Sequence, residues 1–108
     1  MRRPTFALLA LAGTLAVVTP ASATDHAVAQ KDKAFSTTAI TVKAGDRITF
    51  TNADSITHNV YSVTKGYEFD LKTQTPGHSD TVPFPKAGSV DVECAIHPKM
   101  KLKVTVAP

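Results

Sequence analysis

The chain has one cysteine, Cys94, so it cannot close a disulfide within itself or supply the paired thiols of a covalent haem attachment. It also lacks a mostly apolar, uncharged run long enough to cross a bilayer. The longest, Phe6 to Val18, has 13 residues, against the roughly 20 that a spanning helix needs. No stripe of Lys and Arg interleaved with aromatics runs along it, so the usual footprint of nucleic-acid binding is missing. Beyond residue 23 no segment spaces its apolar residues at a helical period. What remains is a short chain whose apolar residues alternate.

The first residues read as a leader. Arg2 and Arg3 give a positive start, the apolar run follows, Thr19 and Pro20 break it, and Ala21-Ser22-Ala23 supplies small residues at a cleavage site. The expectation is a signal peptide over residues 1–23, cut after Ala23, which places the mature protein in the periplasm with no membrane span. Its removal leaves 85 residues, Thr24 to Pro108, enough for one domain with a modest core. The full chain has 12 basic and 9 acidic residues; without Arg2 and Arg3 the excess of positive charge shrinks to one. A lone thiol in an oxidising compartment is a liability unless it is buried, paired between chains or held by a metal.

The mature sequence reads as strands. Ala39 to Lys43 is β-branched and alternating, Ala44-Gly45-Asp46 is a turn, and Arg47 to Thr51 alternates with Ile48 and Phe50 on one face. Ile56 to Val63 reads as a strand, Tyr67 to Ser79 as irregular, and Thr81 to Phe84 as an edge strand, because Pro83 cannot donate to a ladder. Ser89 to Cys94 and Lys101 to Val106 alternate again, with Val90, Val92 and Cys94 on one face and Leu102, Val104 and Val106 on the other strand's equivalent face. Short strands with Gly and Pro turns predict an all-β sandwich over residues 35–108. Residues 24–34 are set apart as an N-terminal arm, helical or extended.

The chemistry concentrates in Cys94-Ala95-Ile96-His97-Pro98-Lys99-Met100. Thiolate, imidazole and thioether within seven residues form a soft to borderline donor set that suits copper better than calcium or magnesium. A second imidazole is needed. His26 lies beside the cleavage site and His78 in a Pro-Gly turn, whereas His58 lies in a strand that a sandwich can bring to the loop before the last strand. His58 is therefore the choice. Two His and one Cys with a long axial Met define a type 1 copper site.

These residues resemble the cupredoxins, the small blue copper proteins of the amicyanin and plastocyanin group. Cys-x-x-His-x-x-Met is similar to the short amicyanin loop, His58-Asn59-Val60 to the family's first-ligand motif, and the resemblance covers about residues 35–107. It implies a Greek-key β-sandwich, with His58, Cys94 and His97 as equatorial ligands of one Cu(I)/Cu(II) ion and Met100 as the axial one. It further implies that Asn59 bridges the two ligand-bearing segments. Pro98 matches a loop proline of amicyanin; Ile96 departs from the pattern, since amicyanin has a second proline there.

The function expected is one-electron carriage between redox proteins, such as a c-type cytochrome or a dehydrogenase, by a monomer that is not an enzyme. The alternative is copper tolerance or delivery with the same ligands. A thiol hydrolase built on Cys94 and His97 is disfavoured, because the thiol faces inward and no oxyanion-stabilising motif accompanies it. Lys99, Lys101 and Lys103 form a basic row that is either a solvated face or a steering patch for an acidic partner.

Overall fold

The structure, a computed structural model, describes residues 23–108, so the leader expected over residues 1–23 lies, apart from Ala23, outside the described residues. Nine strands follow one another: β1 (Asp25–Lys31), β2 (Ala34–Phe35), β3 (Ala39–Lys43), β4 (Asp46–Asn52), β5 (His58–Ser62), β6 (Phe69–Gln74), β7 (Ser79–Phe84), β8 (Gly88–Glu93) and β9 (Lys101–Ala107). Among the described residues there is no helix. One sheet has the order β2-β1-β4-β7 and the other β3-β9-β8-β5-β6. The pairs β1–β4 and β3–β9 are parallel and the remaining pairs antiparallel.

The period-two pattern explains the layers, since successive side chains leave a strand on opposite faces. Ile48 and Phe50 on β4 are fully buried, as are Val90 and Val92 on β8 and Val104 on β9. They meet Val28, Val82 and Phe84 from the first sheet and Val42, Val60, Leu102 and Val106 from the second in one core. Cys94 and Met100 belong to this same core. The donor-bearing loop is thus anchored at both ends in the packed interior. Pro83 sits on β7, which is the edge of its sheet, where its missing N–H costs no ladder bond.

The structure differs from the sequence pattern in three places. Residues 24–34 hold β1 and the first residue of β2, and β1 pairs with β4 from Asp25↔Arg47 to Gln30↔Asn52. In Asp-His-Ala-Val-Ala-Gln-Lys only Val28 is a large apolar residue, so the alternation is too faint to register. Residues 69–74 form β6, although Tyr67 to Ser79 read as irregular. Lys72 adopts a left-handed φ of 59° and the β5–β6 register shifts between Asn59 and Tyr61, so this is a bulged strand. Its Phe69 and Leu71 still pack on the core. Finally, β5 begins at His58 rather than Ile56. The buried Asn52 donates from Nδ2 to Ile56 O at 2.8 Å and accepts Asp54 N at 2.9 Å, curling residues 53–57 into a loop.

At the start of β4 the Asp46 carboxylate gathers three donors. These are Thr24 N at 3.0 Å, His26 Nε2 at 2.9 Å and Lys43 N at 2.9 Å. The His26 hydrogen bond, followed by the Lys43 and Thr24 amides, lowers its pKa from 3.8 to about 2. A carboxyl whose pKa is depressed by folding stabilises the fold above its unfolded value and loses that effect as pH falls through its folded value. Asp46→Asn is therefore expected to lower the urea midpoint at pH 6, and to make the midpoint fall less steeply between about pH 4 and pH 2 than in the unaltered protein. Denaturation followed by far-ultraviolet circular dichroism at several pH values checks this.

Candidate metal centre

His58 opens β5, and Cys94 to Met100 links β8 to β9. The Nδ1 atoms of His58 and His97 lie 3.2 Å apart, and Cys94 Sγ lies 4.0 Å from His58 Nδ1. All three donor atoms fall within 4.8 Å of one another. Using zinc–ligand lengths for a comparable ion, two nitrogens each about 2.05 Å from one centre are about 3.2 Å apart at roughly 100°. A sulfur at about 2.3 Å and such a nitrogen are about 4.0 Å apart at roughly 135°. The observed spacings therefore fit one metal ion with a wide S–metal–N angle, and the soft thiolate with two imidazoles fits copper.

The orientation of His58 has a specific cause. Its Nε2 lies 2.9 Å from Asp54 Oδ2, in a ring that is fully buried. A proton on Nε2 donated to the carboxylate leaves Nδ1 as a lone pair facing Cys94 and His97. Asp54 is itself held by Lys33 N at 3.0 Å and Ser55 N at 2.9 Å. The His58 hydrogen bond, then the Lys33 amide, lowers the Asp54 pKa to about 2, so the carboxylate is charged at neutral pH. Lys33 N comes from the β1–β2 turn, where Asp32 and Lys33 both have positive φ, as a two-residue hairpin turn of this hand requires. The N-terminal hairpin thus buttresses the metal site. Nothing in the sequence pattern marked Asp54; the Asn52-closed loop is what carries it to His58.

Asn59 links the two segments that carry donors. Its main-chain N donates to Cys94 Sγ at 3.4 Å, and its Oδ1 accepts Ala95 N at 3.3 Å. Its Nδ2 donates to Asp70 Oδ1 at 2.8 Å and to Lys72 O at 2.9 Å, and the bulge on β6 is what presents that carbonyl. Lys72 N also donates to Asp70 Oδ1 at 2.8 Å, and that bond, followed by the one from Asn59, holds the Asp70 pKa below the usual carboxylate range. The donor loop closes with Met100 N donating to His97 O at 2.9 Å. Met100 is 2% exposed, at the core end of the loop.

The other sequence candidates lie elsewhere. His26 is on Asp46 at the far end of β4, and His78 is about half exposed, 3.1 Å from Asp80. His97 is partly exposed and, with Ile96, Pro98, Lys99 and Lys33, lines an open, largely apolar hollow. Lys101 and Lys103 pair in register with Glu93 and Asp91 on β8, and Lys101 Nζ lies 3.9 Å from Glu93. That acidic neighbour row offsets their charge, so the basic row splits, and only Lys99 borders the His97 hollow.

A two-sheet sandwich with a buried Cys and two converging imidazoles is the arrangement of a small β-sandwich copper protein. The chain belongs to the copper binding proteins of the plastocyanin/azurin family, whose profile matches residues 22–107. It is 35% identical over 100 residues to amicyanin-alpha of Methylorubrum extorquens strain AM1, covering 88% of this chain and 82% of that protein. It is also 38% identical over 66 residues to the methylamine utilization protein MauL of the same strain, covering 60% of this chain and 58% of MauL. Among solved structures, a reduced Cu(I) form of an amicyanin variant superposes with a TM-score of 0.71 at 27% identity, over 76% of this chain and 81% of that one. The fold is the amicyanin cupredoxin sandwich and the cofactor is copper.

Removing the carboxylate that orients a histidine donor typically costs 10–100-fold in metal affinity. Asp54→Ala is expected to weaken copper retention by about that factor, measured by competition with a chromophoric Cu(I) chelator. Unchanged retention would mean that packing alone orients His58.

Proposed function

We propose that this protein is exported, cut after Ala23, and carries single electrons between redox proteins in the periplasm, with copper held by His58, Cys94, His97 and Met100. The observation that carries the reading is the convergence of two imidazole nitrogens at 3.2 Å and one thiol sulfur at 4.0 Å inside a rigid sandwich. Copper bound there supplies a one-electron couple, Cu(I)/Cu(II), with thiolate and thioether suiting the reduced ion and imidazole both states.

The chain's own residues do the remaining work. Asp54 and Asn59 hold His58 and Cys94 in place, and a bound ion would meet donors that resist rearrangement when its charge changes. Burial of His58 and Cys94, at 0% and 1% exposed, keeps water from those donors. His97 alone among the three reaches the surface, at a hollow lined by Ile96 and Pro98. An apolar contact there gives the brief, small docking typical of redox encounters. Lys33 and Lys99 at its margin add attraction for an acidic partner. The same burial disfavours copper delivery, which needs donors that an acceptor can reach. The likeness to amicyanin-alpha and to a methylamine utilization protein supports redox proteins as partners, such as a c-type cytochrome or a dehydrogenase.

The copper-loaded protein is expected to show an intense thiolate-to-copper absorption band and narrow hyperfine splitting in electron paramagnetic resonance. Cys94→Ala is expected to abolish both, and Met100→Leu to shift the potential while copper is retained; a band that survives Cys94→Ala would falsify the ligand set. Electron carriage is checked by stopped-flow oxidation of the reduced protein by a c-type cytochrome. The rate constant with an acidic cytochrome is expected to fall as ionic strength rises, and Lys99→Ala to flatten that dependence. If instead copper leaves for a chelator faster than the electron leaves for the cytochrome, the protein is a copper donor.

A further inference from the structure

The far end of β4 holds a second convergence that the copper site does not use. Asp46, with its side chain 9% exposed, receives Thr24 N on Oδ1 at 3.0 Å and His26 Nε2 on Oδ2 at 2.9 Å. Arg47 N donates to Thr24 O at 3.0 Å, and Asp25 and His26 pair in register with Arg47 and Ile48, so the segment is seated on β4. Thr24, Lys43, Ala44, Gly45, Asp46 and Pro108 line the hollow around it. The carboxylate meets the His26 side chain from β1 and the main-chain N–H of Lys43 from β3, while Arg47, the next residue of β4, is exposed on the opposite face. Arg47 is itself paired with Asp25 at 2.6 Å. From β7 the neighbour is Phe84, whose carbonyl accepts Gly45 N.

We propose that Asp46 is the receptor for the mature N-terminus, and that this pairing keeps a latent copper(II) chelator closed. The inference rests on the proposed cleavage after Ala23. Before cleavage Thr24 N is a peptide amide; after it, the same atom is an ammonium 3.0 Å from a nearly buried carboxylate. A charge-assisted bond replaces a neutral one, and it forms only in the processed chain.

The new terminus reads Thr24-Asp25-His26. A free α-amine with His in third position offers copper(II) four nitrogens in a plane: the amine, the amides of Asp25 and His26, and His26 Nδ1. Square-planar nitrogen is the arrangement copper(II) favours. Binding would release one proton from the ammonium and one from each amide. In the folded chain Thr24 N is on Asp46, the His26 ring is fixed through Nε2, and both amides belong to residues of the parallel ladder. The strand must peel away before the four nitrogens can turn inward. An exported copper protein thus directs the metal to the buried donor set about 20 Å along β4 and away from its own terminus.

The test uses the full chain expressed with its leader in a Gram-negative host, and the intact mass of the exported product reports where it starts. A start at any residue other than Thr24 overturns the cleavage, separately from the pairing. For protein starting at Thr24, one tightly held copper per chain is expected. Asp46→Asn is expected to gain a second copper(II), with the resonance signature of square-planar nitrogen, and selective acetylation of its α-amine should remove that second ion. In the unaltered protein the same acetylation should lower the thermal midpoint by about 4–8 °C, and in Asp46→Asn it should not. A second copper on the unaltered protein, or a midpoint indifferent to acetylation, overturns the proposal. So does an acetylation effect that survives Asp46→Asn, because the counter-ion then lies elsewhere. If Asp46→Asn does not fold, the midpoint and copper stoichiometry of the unaltered protein decide.

Discussion

The two nitrogens of His58 are assigned different tasks, and the site depends on that division. Nε2 faces the Asp54 carboxylate and Nδ1 faces Cys94 and His97. A buried imidazole free to rotate or change tautomer would present a proton to the metal position as readily as a lone pair. The ionised carboxylate removes that freedom, because only an N–H can satisfy it. Asp54 is in turn kept in place by Asn52 through the loop and by Lys33 through the β1–β2 turn. The chain of constraint runs from the N-terminal hairpin to the metal position, so β1 and β2 are part of the site's support as well as of the sandwich.

The same device recurs at the other end of β4. Asp46 and Asp54 each collect main-chain amides and one histidine Nε2, and each has its pKa lowered to about 2. Their settings decide their uses. Around Asp54 the histidine's free nitrogen meets a thiol and a second imidazole. Around Asp46 it meets no such pair, and the third group is the main-chain nitrogen of Thr24. One carboxylate orients a candidate metal donor and the other fixes the Thr24–His26 segment against β4. Between them Ile48 and Phe50 fill the core, which keeps the two clusters independent.

The strands with strong alternation, β3, β4, β8 and β9, were legible because each carries two or more large apolar residues at period two. β1 was not, since its inward positions are His26, Val28 and Gln30, and only Val28 among them is a large apolar residue. β6 was hidden by its bulge, yet the bulge is what offers Lys72 O to Asn59. Cys94 and His97, which the structure brings together, were readable from spacing alone, as was the expectation of Met100 as an axial donor. His58 could be reached only by weighing three histidines, and Asp54 not at all, because a carboxylate four residues before a histidine has no meaning until the loop between them is closed.

The sequence by itself determined the donor types, their spacing in the loop, the lone thiol and the β pattern, because these are properties of neighbours along the chain. The tertiary structure decided which histidine faces the thiol, which nitrogen of its ring is presented, and which lysine of the basic row borders the exposed imidazole. Those depend on contacts across 35 or more residues, such as Asn59 with Cys94 and His58 with His97. Only packing two sheets on one core sets such distances, and local pattern carries no record of them.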